Sequence, residues 1–415
     1  MRDMTAASSP AVCDTSAVGM PAGAARPATV ARAPGRSERD LRLDLFRGIA
    51  LFAIFIDHIP DNFLSNVTVH SFAFCDAAEL FVFISGFAAA LAYGRLLQSE
   101  GLRIASAHVY HRIWQLYVAH IFIFAIFAAE VSSSIPVLHS WSYAEGFRID
   151  EFLREPGTMI IQALTLRFQP QFLDILPLYM ALLAAFPLVL AAIARHPLLA
   201  LVPSGALYAA THFFGWTVPA YPAGHTWFFN PLAWQFLFVI GAVFGYAQLR
   251  GSALLPRRPR LTVTAIVIAG TVAAIALTWM IRSNFTDAAD PLFKLLAPYI
   301  ANKGNLGPVR LASFLVLAFA ISRLVQPGSA LLATRAARGL IICGQHSLHV
   351  FCLGILLAVL GEFVLSLYDG AILVQLAVNF TGCALMIGLG LLIAWDKAKM
   401  RLDRAPTPVA AATAG

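Results

Sequence analysis

Long apolar segments alternate with short polar segments along almost the whole chain. The apolar segments have the length of membrane-spanning helices and lie at roughly 45–64, 72–93, 112–131, 172–193, 197–214, 231–249, 261–282, 308–324, 339–360 and 371–395. A bilayer core about 30 Å thick is crossed by a helix of about 20 apolar residues. The pattern therefore predicts an all-α polytopic membrane protein with about ten transmembrane helices.

Polar segments flank this region at both ends. Residues 1–40 are rich in Ala, Pro, Gly and Ser and contain no apolar run, which predicts a disordered cytoplasmic tail. Residues 397–415 predict a second cytoplasmic tail, so that residues 41–396 form the transmembrane domain.

The basic residues are distributed unevenly between the two sides of the predicted membrane. Of the 415 residues 59% are hydrophobic and 12% charged, and the formal net charge is +7. If the N-terminus is cytoplasmic, 22 of the 29 Lys and Arg residues fall in cytoplasmic segments, as the positive-inside rule requires. The sequence therefore predicts that both termini are cytoplasmic. The basic charge follows from membrane topology and does not indicate a nucleic-acid partner.

The first two predicted spans contain ionisable residues within the predicted bilayer. Nine residues separate Arg47 from Asp57 and its neighbour His58, which places these charges about 15 Å apart along a helix. The second span contributes Asp76 and Glu79. An antiparallel pair of spans brings the three carboxyl groups and the imidazole to one level near the outer membrane face. Because ionisable groups at such depth usually mark a functional site, we predict that these four residues are catalytic.

These polar residues and three other groups each have two interpretations. A histidine near carboxylates is suited to taking a proton from an alcohol, but the same four groups also fit a self-satisfied cluster at the outer interface. Arg47 lies deeper and either contacts an anionic phosphate or extends to the headgroups. His346, near the inner end of the ninth span, either lines an inner vestibule or caps the helix. Lys294, Lys303 and Arg310 form an outer basic group that either holds an anion or anchors an interfacial segment.

Two predicted outer loops, 132–171 and 215–230, are rich in aromatic residues, among them Trp141, Trp216 and Trp227. These side chains either form an aromatic belt at the headgroups or provide a platform on which sugar rings stack. The second interpretation makes the three tryptophans candidate substrate-binding residues.

Several common catalytic motifs are absent from the sequence. The five cysteines form no CxxC pair, and there is no GxSxG, Walker, GxGxxG or HExxH motif. The sequence therefore predicts no metal site and no tightly bound cofactor, and it does not support a serine hydrolase, an ATPase or a metalloprotease.

Six short segments together resemble the OpgC family of membrane proteins. They are residues 42–48 with 57–60 (RLDLFRG and DHIP), 76–86 (DAAELFVFISG), 174–179 (DILPLY), 229–235 (FNPLAWQ) and 344–348 (GQHSL). The first segment is also similar to the start of the wider membrane acyltransferase superfamily. The resemblance covers the chain from about residue 40 to residue 396.

The resemblance implies a function. OpgC proteins are implicated in succinylating osmoregulated periplasmic glucans with an acyl group drawn from the cytoplasm. It therefore implies a multi-pass protein of the bacterial inner membrane, with acyl-CoA, and specifically succinyl-CoA, as co-substrate and a periplasmic glucan as acceptor. His58 and Arg47 match a functionally important histidine and arginine of the wider superfamily.

From these points we derive a working mechanism. His58, oriented by Asp57 or by a carboxylate of the second span, deprotonates the sugar hydroxyl or carries the acyl group briefly. Arg47 and His346 contact the thioester donor from the inner side. The three tryptophans hold the sugar.

Two other functions fit the same sequence. One is a transporter that moves an acyl donor or a glucan without covalent chemistry and uses the buried charges as a relay. The other is an acetyltransferase that acts on another surface polysaccharide. Membrane lipid surrounds the protein in every case, and the sequence does not indicate an oligomeric state.

Overall fold

The computed structural model describes residues 40–252 and 302–403 and, between them, residues 265, 269–273, 275 and 276. The named elements of the two long ranges are all helical. The α-helices are labelled in chain order as α1 (Leu41–Asp57), α2 (Ala77–Glu100), α3 (Leu102–Leu138), α4 (Ser142–Gly146), α5 (Asp150–Arg154), α6 (Pro156–Leu164), α7 (Ile175–Arg195), α8 (Leu198–Phe214), α9 (Pro231–Leu249), α10 (Pro308–Leu324), α11 (Arg335–Gln345), α12 (Ser347–Leu367) and α13 (Ile372–Asp403). Short 3-10 helices cover Phe63–Val67, Val69–Ser71 and Ala330–Ala333.

The helices have the dimensions of a membrane protein. Six of the described helices are long and apolar enough to cross a bilayer, namely α2, α3, α7, α9, α12 and Ile372–Met400 of α13. The helix α8 is apolar but shorter. The structure thus supports a helical membrane protein, whereas the number of ten spans and the cytoplasmic location of both termini stay predictions.

Some predicted segments lie outside the described residues. They include most of the seventh predicted span, 261–282, as well as Lys294, residues 1–39 of the first predicted tail and residues 404–415 of the second. The helix α13 continues through the start of that second tail to Asp403.

The boundaries of α1 and α2 differ from those that the hydrophobic pattern predicts. Helix α1 ends earlier and α2 begins later, so both boundaries lie next to the polar residues. The first span was expected to reach residue 64, but α1 ends at Asp57, two residues before the Ile59–Pro60 step. A residue that precedes proline is disfavoured in the helical conformation. The second span was expected from residue 72, but α2 begins at Ala77 with Asp76 as its N-cap. The predicted catalytic residues therefore lie at helix ends.

The ninth predicted span, 339–360, is two helices rather than one. The helix α11 ends at Gln345 and α12 begins at Ser347, with His346 between them in a non-helical conformation. Before this break, α11 packs closely against α1, because Gly344 lies against the backbone of Asp44.

Glycines allow α2 and α9 to pack backbone against backbone. These two helices form the most extensive helix–helix contact among the described residues. A Cβ atom on Gly86 of α2 would overlap the carbonyl oxygen of Phe238, and one on Gly241 of α9 would overlap that of Phe83. Small residues at a helix interface permit such a close approach.

This contact gives a first testable prediction. Gly86→Ala should destabilise the protein by about 1–3 kcal/mol, because the new methyl group meets rigid backbone and forces the helices apart. The matched control is Gly339→Ala, whose methyl group would lie 3.7 Å from the side chain of Ile387. The melting temperature of the detergent-purified variants measures the difference. Equal melting temperatures for the two variants would contradict the proposed packing.

Candidate active site

The structure places His58 directly after the last residue of α1. Its ring stacks on Phe172, with ring centroids 4.1 Å apart. The Nδ1 atom is buried and has no hydrogen-bond partner among the described residues. Lys303 and Asp76 are near enough to contribute to the electrostatic environment of the imidazole. His58 is therefore held by an aromatic contact. Its Nδ1 atom has no hydrogen-bond partner within the described ranges.

Beside His58, two carboxylates and two cations form a cluster that we call the ionic cluster. Its members are Asp76, Glu79, Lys303 and Arg310. Lys303 Nζ lies 2.8 Å from Asp76 Oδ2, and Arg310 Nη2 lies 3.0 Å from the same oxygen. Arg310 also donates from Nε to Glu79 Oε1 over 2.7 Å. Lys303 and Arg310, two members of the basic group that the sequence predicted, thus provide the counter-ions of the two carboxylates of α2.

The first turn of α2 fixes these carboxylates. Asp76 Oδ1 accepts a hydrogen bond of 2.8 Å from the backbone N–H of Ala78. Glu79 Oε2 accepts one of 2.8 Å from the N–H of Asp76, which completes a capping box. The remaining carboxylate oxygens point to the cations. A helix start therefore explains why two carboxylates three residues apart are found here.

The segment that carries Lys303 is held by the start of α9. The indole Nε1 of Trp234 donates to the carbonyl oxygens of Lys303 and Gly304 over 3.1 and 3.0 Å. Asn230 donates from Nδ2 to Asn305 Oδ1 over 2.9 Å. Both anchoring residues belong to the FNPLAWQ segment, so this segment positions the cation that faces Asp76.

The charge of Lys303 is stabilised by its neighbours. Burial opposes a charged ammonium group, but the negative charges of Asp76 and Glu79 outweigh that cost and raise the pKa of Lys303 above its ordinary value. Lys303 therefore stays positively charged and presents an ammonium group to the space beside His58.

Among the described residues, the Asp57 carboxylate forms hydrogen-bond and ion-pair contacts with residues other than His58. Its Oδ1 accepts a hydrogen bond of 2.7 Å from Thr68 Oγ1 and lies 3.3 Å from His70 Nδ1. The expected orientation of His58 by Asp57 is thus replaced by a pair between Asp57 and His70. His70 was not among the predicted site residues, because it lies in a polar connection twelve residues beyond His58.

A cavity of about 180 Å³ lies on the predicted inner side of the ionic cluster, and we call it the Arg47 cavity. The residues that line it come from α1, α2, α3, α7 and α12 and are Arg47, Phe81, Ser85, Ala88, Ala89, Ala92, Tyr93, Arg112, Leu116, Leu176, Tyr179, Ser347, Leu348 and Phe351. Along α2 it extends from Phe81 to Tyr93, which is about 18 Å of helix.

The Arg47 cavity contains two cationic residues. Arg47 donates from Nη2 to the carbonyl oxygen of Ile84 over 3.4 Å. Arg112 also lines the cavity. In the sequence it is the first residue of the third predicted span and was not a candidate site residue. His346 is not among the lining residues, whereas its neighbour Ser347 is. The Nδ1 atom of His346 lies 3.3 Å from Lys397 Nζ.

A second cavity, of about 560 Å³, is lined mainly by the segments that precede α9 and α10, and we call it the Trp227 cavity. Its lining residues are mainly polar and aromatic and are Arg148, Thr217, Gly224, His225, Thr226, Trp227, Phe228, Asn302, Gly304 and Asn305. The other two predicted sugar-binding tryptophans lie elsewhere. Trp216 stacks on Phe214, and Trp141 packs under the guanidinium group of Arg154.

Each of the two cavities has lining residues that are neighbours of the ionic cluster in the chain. Phe81, at one end of the Arg47 cavity, follows Glu79 by two residues on α2. Asn302 and Gly304 of the Trp227 cavity flank Lys303 in the chain. Members of the ionic cluster are therefore close in the chain to residues that line both cavities, which is an arrangement that suits a group transfer between two ligands.

The chain matches a protein-family model. Residues 39–398 match the model described as OpgC protein, which is most of the chain. No match is found among curated proteins or among solved structures.

Proposed function

Because the chain belongs to the OpgC family, we propose that it transfers a succinyl group from a cytoplasmic CoA thioester to a hydroxyl group of a periplasmic glucan. Family membership indicates an acyltransferase-like membrane protein, and the donor and the acceptor are our proposal. The observation that carries it is that two cavities of different character have lining residues next in the chain to members of one ionic cluster beside His58.

The Arg47 cavity suits the acyl end of an anionic donor. Arg47 and Arg112 provide guanidinium groups that bind carboxylate or phosphate oxygens in a forked geometry. A cavity of about 180 Å³ is smaller than the roughly 300–1,000 Å³ of pockets that enclose a whole ligand. We therefore assign it to the acyl arm of the donor, while the nucleotide end remains outside.

His58 receives the acyl group in this scheme. The imidazole attacks the thioester carbonyl carbon, the carbon–nitrogen bond forms, the carbon–sulfur bond breaks, and the thiolate leaves with the imidazole proton. The ammonium group of Lys303 disfavours a second positive charge nearby, which favours a neutral, nucleophilic His58. A sugar hydroxyl then attacks the acyl carbon, the carbon–oxygen bond forms, and the imidazole leaves and regains a proton.

The Trp227 cavity suits the acceptor. Its volume of about 560 Å³ falls within the range of ligand-binding pockets. Trp227 offers a ring face to a sugar, and the amide groups of Asn302 and Asn305 provide hydrogen-bond donors and acceptors for hydroxyl groups. Of the three tryptophans that the sequence suggested, Trp227 is thus the one that we place against the glucan.

Reconstitution in liposomes tests this function. Vesicles that contain the purified protein and enclose labelled succinyl-CoA should produce a labelled ester on a gluco-oligosaccharide supplied outside. Vesicles without protein provide the background. Transfer should depend on enclosed donor, because the two substrates reach the site from opposite sides.

Three results would overturn parts of the proposal. Intact succinyl-CoA or intact glucan crossing the membrane without ester formation would indicate a transporter. Ester formation from acetyl-CoA but not from succinyl-CoA would refute the choice of acyl group. Transfer to an unrelated polysaccharide in preference to the glucan would refute the acceptor.

A further inference from the structure

His70 is paired with a carboxylate in a way that His58 is not. His70 Nδ1 lies 3.3 Å from Asp57 Oδ1 and 2.7 Å from Thr68 Oγ1, and Thr68 Oγ1 donates to the same carboxylate oxygen over 2.7 Å. A carboxylate only accepts hydrogen bonds, so the hydrogen of neutral His70 belongs on Nδ1. The Nε2 atom then carries the lone pair. A histidine that is oriented in this manner is equipped to accept a proton at Nε2.

The connection between α1 and α2 that carries His70 is firmly held. Asn62 and Asn379 of α13 exchange two hydrogen bonds of 3.0 Å and are both buried. The backbone N–H of Phe63 donates to Gln375 Oε1 over 2.9 Å. Two successive 3-10 helices then lead to His70. The position of His70 is therefore fixed from α13 as well as from Asp57.

His70 is also accessible, and its partner Asp57 is the residue next to His58. The side chain of His70 is 34% exposed, whereas that of Asp57 is 19% exposed. The two histidines are therefore linked through Asp57, which is paired with His70 and directly precedes His58 in the chain. Asp76 and Lys303 also contribute to the electrostatic environment of Asp57. The Asp57–His70 pair is thus part of the same charged region as the ionic cluster.

We propose that His70 is the general base that activates the acceptor hydroxyl in the second step of the reaction. This inference rests on the proposed acyl transfer and assigns a role that the first step does not need. The hydroxyl oxygen bonds to the acyl carbon while its proton moves to His70 Nε2. The bond between the acyl carbon and His58 breaks, the departing imidazole takes a proton, and His70 returns its own proton to solvent. Asp57 stabilises the transient imidazolium.

The adjacent serine is not part of this assignment. Ser71 Oγ lies 3.4 Å from His70 Nε2 but donates to the carbonyl oxygen of Ser65 over 3.0 Å. Its hydroxyl is therefore already satisfied by backbone. Ser71→Ala is accordingly a suitable matched variant, because it changes the neighbour of the base without changing the base.

The test measures the two half-reactions of the purified protein separately. Release of CoA without acceptor reports acylation, and ester formation on a gluco-oligosaccharide reports the second step. His70→Ala should acylate within about 2-fold of the wild-type rate but form ester about 10²–10⁴-fold more slowly. Added imidazole should restore part of the lost ester formation, and Ser71→Ala should form ester at close to the wild-type rate.

Each alternative result has a distinct meaning. Ester formation by His70→Ala at the wild-type rate would overturn the role of His70. A folded His70→Ala that loses both half-reactions, or that imidazole fails to rescue, would also overturn it. Loss of ester formation in Ser71→Ala would transfer the role to the serine. Failure of the wild-type protein to release CoA or form ester would instead refute the proposed function.

Discussion

Replacement of His58 by glutamine is expected to abolish acyl transfer without unfolding the protein. Removal of a group that forms the covalent intermediate lowers turnover by about 10³-fold or more. Both half-reactions should disappear together, since the second step uses the product of the first. Enclosed labelled succinyl-CoA should then yield neither released CoA above background nor labelled ester, and no label should remain on the protein.

The matched control for this experiment is His120→Gln. His120 is buried in α3, and its Nδ1 also lacks a hydrogen-bond partner among the described residues. Unlike His58, it has no neighbouring charge within the described ranges that contributes to its electrostatic environment. The control should retain transfer. A His58→Gln protein that melts normally and still forms ester would refute the role of His58, and equal losses in both variants would indicate a general effect of removing a buried histidine.

The hydrophobic pattern predicted some helix boundaries closely. The spans expected at 231–249 and 308–324 correspond to α9 and α10, and the one at 197–214 corresponds to α8. Local signals mark these starts, because α9 and α10 begin at Pro231 and Pro308 and a proline also precedes α8. Where a boundary is encoded by neighbouring residues, one sequence is sufficient to find it.

Boundaries near the site were predicted less well. Apolar residues continue beyond Asp57 and precede Asp76, so hydropathy alone joined them to the spans. Asp76 and Glu79 form a capping box, and its sequence signal is an acidic residue followed three positions later by a second acidic residue. In the sequence alone, these two residues were interpreted only as buried charges. Greater weight on capping chemistry would have placed the start of α2 correctly.

The sequence predicted that several polar residues lie together but did not predict which of them pair. His58, Asp76 and Glu79 were expected to lie near one another, and the structure brings Asp76 close enough to influence His58. Arg310, however, is separated by 234 positions from Asp76, and a single sequence contains no signal for such a contact. The same reason explains why Arg112 was missed, whereas His70 was missed because it lies in a polar connection between the first two predicted spans.

The catalytic roles of the predicted residues stay predictions. The geometry changes which role each of them is suited to, because it changes which side chains are paired. Asp57 belongs with His70, and the carboxylates of α2 belong with Lys303 and Arg310. Within the described ranges, His58 therefore has no hydrogen bond or ion pair with a carboxylate, whereas His70 is paired with Asp57. This difference is the physical basis for assigning acyl transfer to the first and proton transfer to the second.

Removal of the positive charge at Arg310 should destabilise the protein more than Gly86→Ala does. Glu79 is fully buried, and Arg310 donates to it while also pairing with Asp76. Arg310→Met leaves a buried carboxylate without its cation, and breaking a buried ion pair in this way costs about 3–5 kcal/mol. Unfolding in denaturing detergent, or the melting temperature in mild detergent, measures the loss. Arg195→Met, at the exposed end of α7, is the control and should have little effect.

A second substitution separates charge from packing. Adding Glu79→Gln to Arg310→Met removes the stranded charge, while the amide oxygen of the glutamine still accepts the hydrogen bond from the N–H of Asp76. The double variant should therefore be more stable than Arg310→Met alone, because an uncompensated charge is costlier to bury than a neutral amide. If the double variant is less stable than the single one, the arginine acts mainly through its packing. The ionic cluster would then not be the electrostatic unit described above.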